Sequence, residues 1–219
     1  MEMMVMKYKL IIFDLDGTIL DTLDDLAGSV NHALTSCGLP ERNLDEVRRF
    51  TGNGIRNLVE RSVPSGTPSD VTDRVFSEFK AYYKEHCADC TKPYDGIPEL
   101  LHALKGNGCL TAVVSNKADF AVQTLCEDYF KNMFDAVVGE KTGVRKKPAP
   151  DTVDAVLSQL HVDRQEAVYI GDSEVDIETA KNASMDCISV DWGFRSHAEL
   201  IAAGATKIVS SPGEILNEI

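Results

Sequence analysis

Asp14 and Asp16 stand two residues apart at the end of the apolar run Leu10-Ile11-Ile12-Phe13. In an extended chain, side chains at i and i+2 point to the same face, so the two carboxylates converge where the strand stops. Two anions that close repel, and each raises the pKa of the other unless a cation or a shared proton relieves them. The pair reads as a carboxylate nucleophile with a second acid beside it and a divalent cation between them. Gly17 lets the backbone turn sharply or approach a ligand closely, and Thr18 adds a hydroxyl at the same point.

Three later segments end in the same way. Val114-Ser115-Asn116-Lys117 puts a hydroxyl, an amide and a cation between a strand and a helix whose first N–H groups can bind an anion, although Ser and Asn also cap helices for structural reasons. Arg145-Lys146-Lys147-Pro148-Ala149-Pro150 carries cations on a segment stiffened by proline, so Lys147 is either a solvated loop charge or a cation aimed at the carboxylates. Val168-Tyr169-Ile170-Gly171-Asp172-Ser173-Glu174-Val175-Asp176 again runs an apolar strand into acids, with Asp176 one turn along the next helix. Magnesium takes oxygen ligands and keeps several waters, so one or two of these carboxylates together with those of the first strand would hold it.

Positioning such groups requires a scaffold that brings strand ends together. Short β-rich runs at residues 9–13, 110–114, 134–138, 167–170, 187–190 and 206–209 alternate with helical patterns. This predicts an α/β fold with a doubly wound, Rossmann-like parallel sheet covered on both faces, in which ligands gather beyond the carboxyl ends of the strands. Between the first two strands the apolar spacing is helical throughout. Leu23, Leu26, Ala27, Val30, Ala33, Leu34 and Cys37 mark one helix, opened by Thr22-Leu23-Asp24-Asp25 as a capping box. Ile55 to Val63 mark a second, and a third starts near Ser69. We expect a core domain from residues 1–19 and 93–219, and an all-helical inserted domain from residues 20–92.

With 219 residues, 43% of them hydrophobic, the chain can bury a full core without disulfides. Its six cysteines are scattered, mostly inside apolar runs, and are expected to be reduced and intracellular; Cys87 and Cys90 lack a second pair for a zinc site and read as plain thiols. Acidic residues outnumber basic ones 35 to 22, a formal net charge of −13 that disfavours nucleic acid and anionic membranes as partners. No apolar run approaches membrane-spanning length, which predicts a soluble, cytoplasmic monomer or homodimer.

The order Asp-x-Asp-Gly-Thr, Ser-Asn, Lys-Pro and Gly-Asp-Ser with a later Asp, each after a successive strand, resembles the haloacid dehalogenase-like hydrolase superfamily over nearly the whole chain. The resemblance implies that Asp14 attacks the phosphorus of a small phosphate monoester and forms an aspartyl-phosphate. Asp16 would protonate the leaving oxygen and then activate water. Mg²⁺ would be held by the Asp14 carboxylate, the Asp16 backbone carbonyl and Asp172, with Asp176 as a ligand or outer partner. Ser115, Asn116 and Lys147 would bind phosphoryl oxygens, with Thr18 beside them. The insertion resembles the family's cap, in which Asn53 and Arg56 of Thr51-Gly52-Asn53-Gly54-Ile55-Arg56 could reach the rest of a substrate. That segment and Asp191-Trp192-Gly193-Phe194-Arg195 resemble the phosphoglycolate phosphatase branch, so a phosphorylated metabolite such as 2-phosphoglycolate is the expected partner. A pyrophosphatase of the same family, a phosphomutase acting on a sugar phosphate and a non-catalytic binding protein are the alternatives.

Overall fold

Along Leu10-Ile11-Ile12-Phe13 every side chain is buried, and successive residues enter different clusters: Ile11 and Phe13 join one, Leu10 and Ile12 the other. A strand buried on both faces needs an unbroken apolar run, which is what a parallel sheet wrapped by helices demands. The computed structural model describes residues 6–219, so the reading of the opening stretch at residues 1–5 lies outside the described residues.

In chain order the first passage holds β1 (Leu10–Phe13) and β2 (Leu20–Asp21). It is followed by α1 (Leu23–Ser36), α2 (Leu44–Phe50), α3 (Gly54–Ser62), α4 (Ser69–His86) and β3 (Lys92–Pro93). The next stretch holds α5 (Ile97–Gly106), β4 (Leu110–Ala118), α6 (Asp119–Tyr129), β5 (Ala136–Glu140) and α7 (Asp151–Leu160). The last holds β6 (Ala167–Gly171), α8 (Glu174–Asn182), β7 (Asp186–Val190), α9 (His197–Ala202), β8 (Ile208–Val209) and α10 (Pro212–Ile215). Two compact units result, one from residues 1–20 with Pro93–Ile219 and one from Asp21–Lys92.

The larger unit is a six-stranded sheet in the order β5-β4-β1-β6-β7-β8. Its pairings are parallel, and β1 pairs with β4 through Leu10–Leu110 to Phe13–Val113 and with β6 through Leu10–Ala167 to Phe13–Ile170. The first strand in sequence is therefore central in space. The α/β doubly wound class expected from the sequence holds, with shifts at the strand ends. β4 runs past Val114 to Ala118, because its register against β5 shifts between those residues and lets extended backbone continue through Ser115, Asn116 and Lys117. β5 lies two residues later than the β-rich run at 134–138.

The inserted unit is helical between the paired short strands β2 and β3. Leu26, Ala27, Val30, Ala33 and Leu34 of α1 and Val75, Phe79 and Tyr83 of α4 are buried, as their spacing requires. Helix α2 has no such signature, since Val47 is its only buried residue, and it is held instead by an Asn43–Glu46 capping box. The capping box expected at Thr22 does not form: Thr22 makes no side-chain cap hydrogen bond. Asp25 turns away from it to accept from Cys90 N at 2.9 Å, Thr91 N at 2.8 Å and Thr91 Oγ1 at 2.7 Å. All six cysteines are free, Cys87 buried and Cys90 exposed. Among the described residues no helix is long and apolar enough to cross a membrane.

Candidate active site

The central position of β1 puts Asp14 between the ends of β4 and β6. Asp14 N donates to Ile170 O at 2.9 Å, so the backbone pairing with β6 continues one residue past the end of β1. Beyond that point Gly17 takes a φ of +83°, a conformation that favours glycine. A Cβ on Gly17 would also lie 2.4 Å from Asp172 Oδ2. The turn after β1 thus closes directly onto the residue that follows β6.

Asp14, Asp172 and Asp176 each offer a carboxylate oxygen, and these oxygens lie within 4.8 Å of one another. All three residues are buried, at 8%, 1% and 0% exposure. Lys147 reaches them from the loop before α7, its Nζ 2.8 Å from Asp14 Oδ1 and 2.8 Å from Asp176 Oδ1. It also donates to Tyr169 Oη at 2.9 Å, and Tyr169 in turn donates to Val114 O at 2.9 Å. The Lys147–Pro148 peptide is cis.

Burial dominates the electrostatics. It pushes the Asp14 carboxyl up to about 7 against the pull of Lys147, with Asp176 and Asp16 adding to the rise. Burial likewise holds Asp172 well above the usual carboxylate range, reinforced by Asp176 and Asp14 and opposed by the Phe194 N–H and Arg195. Lys147 loses solvation too, yet Asp14 and Asp176 keep its ammonium well above the ordinary lysine value. Fully ionised, three carboxylates against one ammonium would carry two negative charges in excess, and the raised Asp14 and Asp172 carboxyls reflect the cost of that excess without a further cation. That donor set and that charge fit a hard divalent cation.

Asp16 is brought to the site in a different way. Its side chain is turned to Lys117, with Nζ 2.7 Å from Oδ1, and does not join the carboxylate group, so only its backbone remains from the four-residue metal set. β4 extends through Lys117, whose side chain is 2% exposed and reaches the turn after β1. Ser115 Oγ accepts from Lys117 N at 3.3 Å. Asn116 Nδ2 donates to Lys147 O at 3.0 Å and ties the end of β4 to the lysine loop. Thr18 Oγ1 donates to Asp172 Oδ1 at 3.3 Å. Asp176 closes a capping box of α8 by accepting from Ser173 N at 3.1 Å and Ser173 Oγ at 2.6 Å.

Asn53 and Arg56 belong to the inserted unit and make local contacts there. Asn53 precedes α3, and its carbonyl accepts from Asn57 Nδ2 at 2.8 Å. Arg56 pairs with Glu60 at 2.6 Å and Asp73 at 2.7 Å on an exposed face. Sequence reasoning missed the partnership of Lys117 with Asp16 and the place of Tyr169. A tyrosine in an otherwise aliphatic strand, two residues before the Gly171-Asp172-Ser173 turn, was the available signal for the second.

Comparison with known proteins follows the same lines. The family model described as haloacid dehalogenase-like hydrolase matches residues 11–190. A phosphoglycolate phosphatase of Aquifex aeolicus is 34% identical over 187 residues, which cover 85% of this chain and 86% of that protein. An N-acetylmuramic acid 6-phosphate phosphatase of Pseudomonas aeruginosa is 33% identical over 215 residues, 97% of this chain and 95% of that one. A crystal structure from Lactobacillus delbrueckii subsp. bulgaricus, provisionally named a phosphoglycolate phosphatase, superposes with a TM-score of 0.94 at 40% identity, covering 98% of this chain and 99% of that chain.

Proposed function

The chain belongs to the haloacid dehalogenase-like hydrolases, and from that membership and its carboxylate cluster we propose a Mg²⁺-dependent phosphatase acting on a small phosphate monoester. The observation that carries the reading is the buried group of Asp14, Asp172 and Asp176 facing Lys147. In this reading an Asp14 oxygen attacks phosphorus, the ester P–O bond breaks, and the phosphoryl group stays on Asp14. Lys117 occupies Asp16 Oδ1, and Oδ2 is the atom we assign to carry the proton that passes to the leaving oxygen. Asp16, now a carboxylate, takes a proton from the water that hydrolyses the aspartyl-phosphate.

Lys147, buried against Asp14, draws the nucleophile toward its ionised form against the effect of burial, and meets the phosphoryl oxygens together with Ser115 and Asn116. The Asp14, Asp172 and Asp176 carboxylates and the Asp16 carbonyl would hold Mg²⁺, which when bound supplies charge neutralisation at the phosphoryl group. Both curated relatives above are named for phosphate monoesters that also carry a carboxylate. That supports a carboxylated substrate of the 2-phosphoglycolate kind. Arg56 and Asn53 are the residues we assign to its organic end, with Arg56 exchanging an exposed Glu60 or Asp73 carboxylate for that of the substrate.

The test is phosphate release from 2-phosphoglycolate, N-acetylmuramic acid 6-phosphate, pyrophosphate, nucleoside monophosphates and sugar phosphates, with and without Mg²⁺. We expect Mg²⁺-dependent release from a carboxylated monoester, and loss of at least about a thousandfold in Asp14→Asn. Activity that survives chelation, or an Asp14→Asn variant as active as the parent, would refute the mechanism.

A further inference from the structure

The loop from Asp191 to Ser196 follows β7 and takes no part in the mechanism above, yet its contacts converge on Asp172. The Phe194 backbone N–H donates to Asp172 Oδ2 at 2.6 Å. On the other side Thr18 Oγ1 donates to Asp172 Oδ1, so each oxygen of this carboxylate receives a hydrogen bond. Trp192 Nε1 donates to the Thr18 carbonyl at 3.1 Å and fastens the loop to the turn after β1. Arg195 grips Glu174 at two points, Nε to Oε2 at 2.8 Å and Nη2 to Oε1 at 3.0 Å, although its own side chain is only 8% exposed. Glu174 opens α8 two residues after Asp172, so the grip fixes the loop to the segment it braces.

Gly193 sets how near the loop can come. A Cβ there would stand 2.2 Å from Gly17 O and 2.5 Å from Asp172 Oδ2, distances that force something to move. Outer groups that hydrogen-bond a metal-binding carboxylate fix its orientation before the cation arrives. A planar, two-point guanidinium pair holds a loop in one register where a flexible ammonium would not.

Resting on the reading of Asp172 as a cation ligand, we propose that the 191–196 loop is a brace that orients the Asp172 carboxylate for the divalent cation, with Gly193 and Arg195 as its positioning residues. Glu174 is the anchor of the brace. The proposal concerns binding of the ion by the resting protein, before any substrate is present.

Calorimetric titration with Mn²⁺, in the absence of substrate, tests it on the full chain and on Asp172→Asn, Gly193→Ala, Arg195→Met, Arg195→Lys and Glu174→Ala, with thermal melts in chelator alongside. We expect Gly193→Ala and Arg195→Met to weaken binding about 10- to 100-fold, the usual effect of removing such outer partners, and Arg195→Lys to recover part of it. Glu174→Ala should weaken binding about three- to tenfold; it takes two hydrogen bonds from a guanidinium that is 8% exposed, so it should melt lower in chelator than the parent while staying folded at the temperature of the titration. It decides the matter if the other variants fail to fold. A parent that binds no Mn²⁺, or an Asp172→Asn variant that binds like the parent, overturns the ligand reading and the brace with it. Binding lost in Asp172→Asn but unchanged in Glu174→Ala overturns the brace alone.

Discussion

Asp14 and Lys147 face one another with almost no water to screen them, and the protonation of Asp14 is coupled to folding. Without metal, burial raises its folded carboxyl from an ordinary 3.8 to about 7. Between those two values the folded chain binds a proton that the unfolded chain releases, so metal-free stability falls as pH rises through this window. Thermal melts in chelator should show that slope, Asp14→Asn should reduce it and leave the part due to Asp172, and Mg²⁺ should raise the midpoint more at about pH 8 than at about pH 5, since proton and cation compete. The Lys117–Asp16 pair yields an asymmetry, because the lysine side chain is 2% exposed and the aspartate 20%. Asp16→Ala takes a carboxylate partner from a buried ammonium and should cost about 3 kcal/mol, whereas Lys117→Met leaves a carboxylate that water can reach and should cost about 1 kcal/mol. Chemical denaturation of the two variants gives the comparison.

At the scale of elements, Asp25 on α1 holds the last turn of the inserted unit through the N–H groups of Cys90 and Thr91 and the Thr91 hydroxyl. Asp25→Ala leaves those donors without an ionised acceptor and should lower the stability of this unit by about 2–4 kcal/mol. Hydrogen exchange should then accelerate around residues 87–92 before it does in the sheet. How such features read from sequence depends on the range of the interaction. The strands of the sheet were legible because each is an apolar run bounded by turn residues, and α1 and α4 because one face of each is buried at helical spacing. Helix α2 was not, since one buried valine makes no period, and neither was the true partner of Asp25, 65 residues away. For the site, the acids and the lysine could be found from their places after strands, as the parallel sheet brings those ends together. The turning of Asp16 to Lys117 could not, because it depends on a contact between distant parts of the chain that no local pattern announces.

For the molecule as a whole, every strand of the six-stranded sheet belongs to the larger unit, and the inserted unit leaves and rejoins it through the paired strands β2 and β3. Replacing residues 22–91 by a short glycine-serine linker should therefore leave a chain that melts cooperatively with the circular dichroism of an α/β protein. A non-cooperative melt would show that the sheet needs the insertion to fold. The placement of β1 also bears on how the chain is made. It is synthesised first, but both of its neighbours, at Leu110–Val113 and Ala167–Ile170, come much later. On the ribosome the Leu-Ile-Ile-Phe strand must wait, unpaired on both edges, while the helices of residues 23–86 emerge and can already fold. The Asp14 carboxylate at its end is translated before Lys147, Asp172 and Asp176, so an incomplete nascent chain carries Asp14 without the buried partners that surround it in the folded protein.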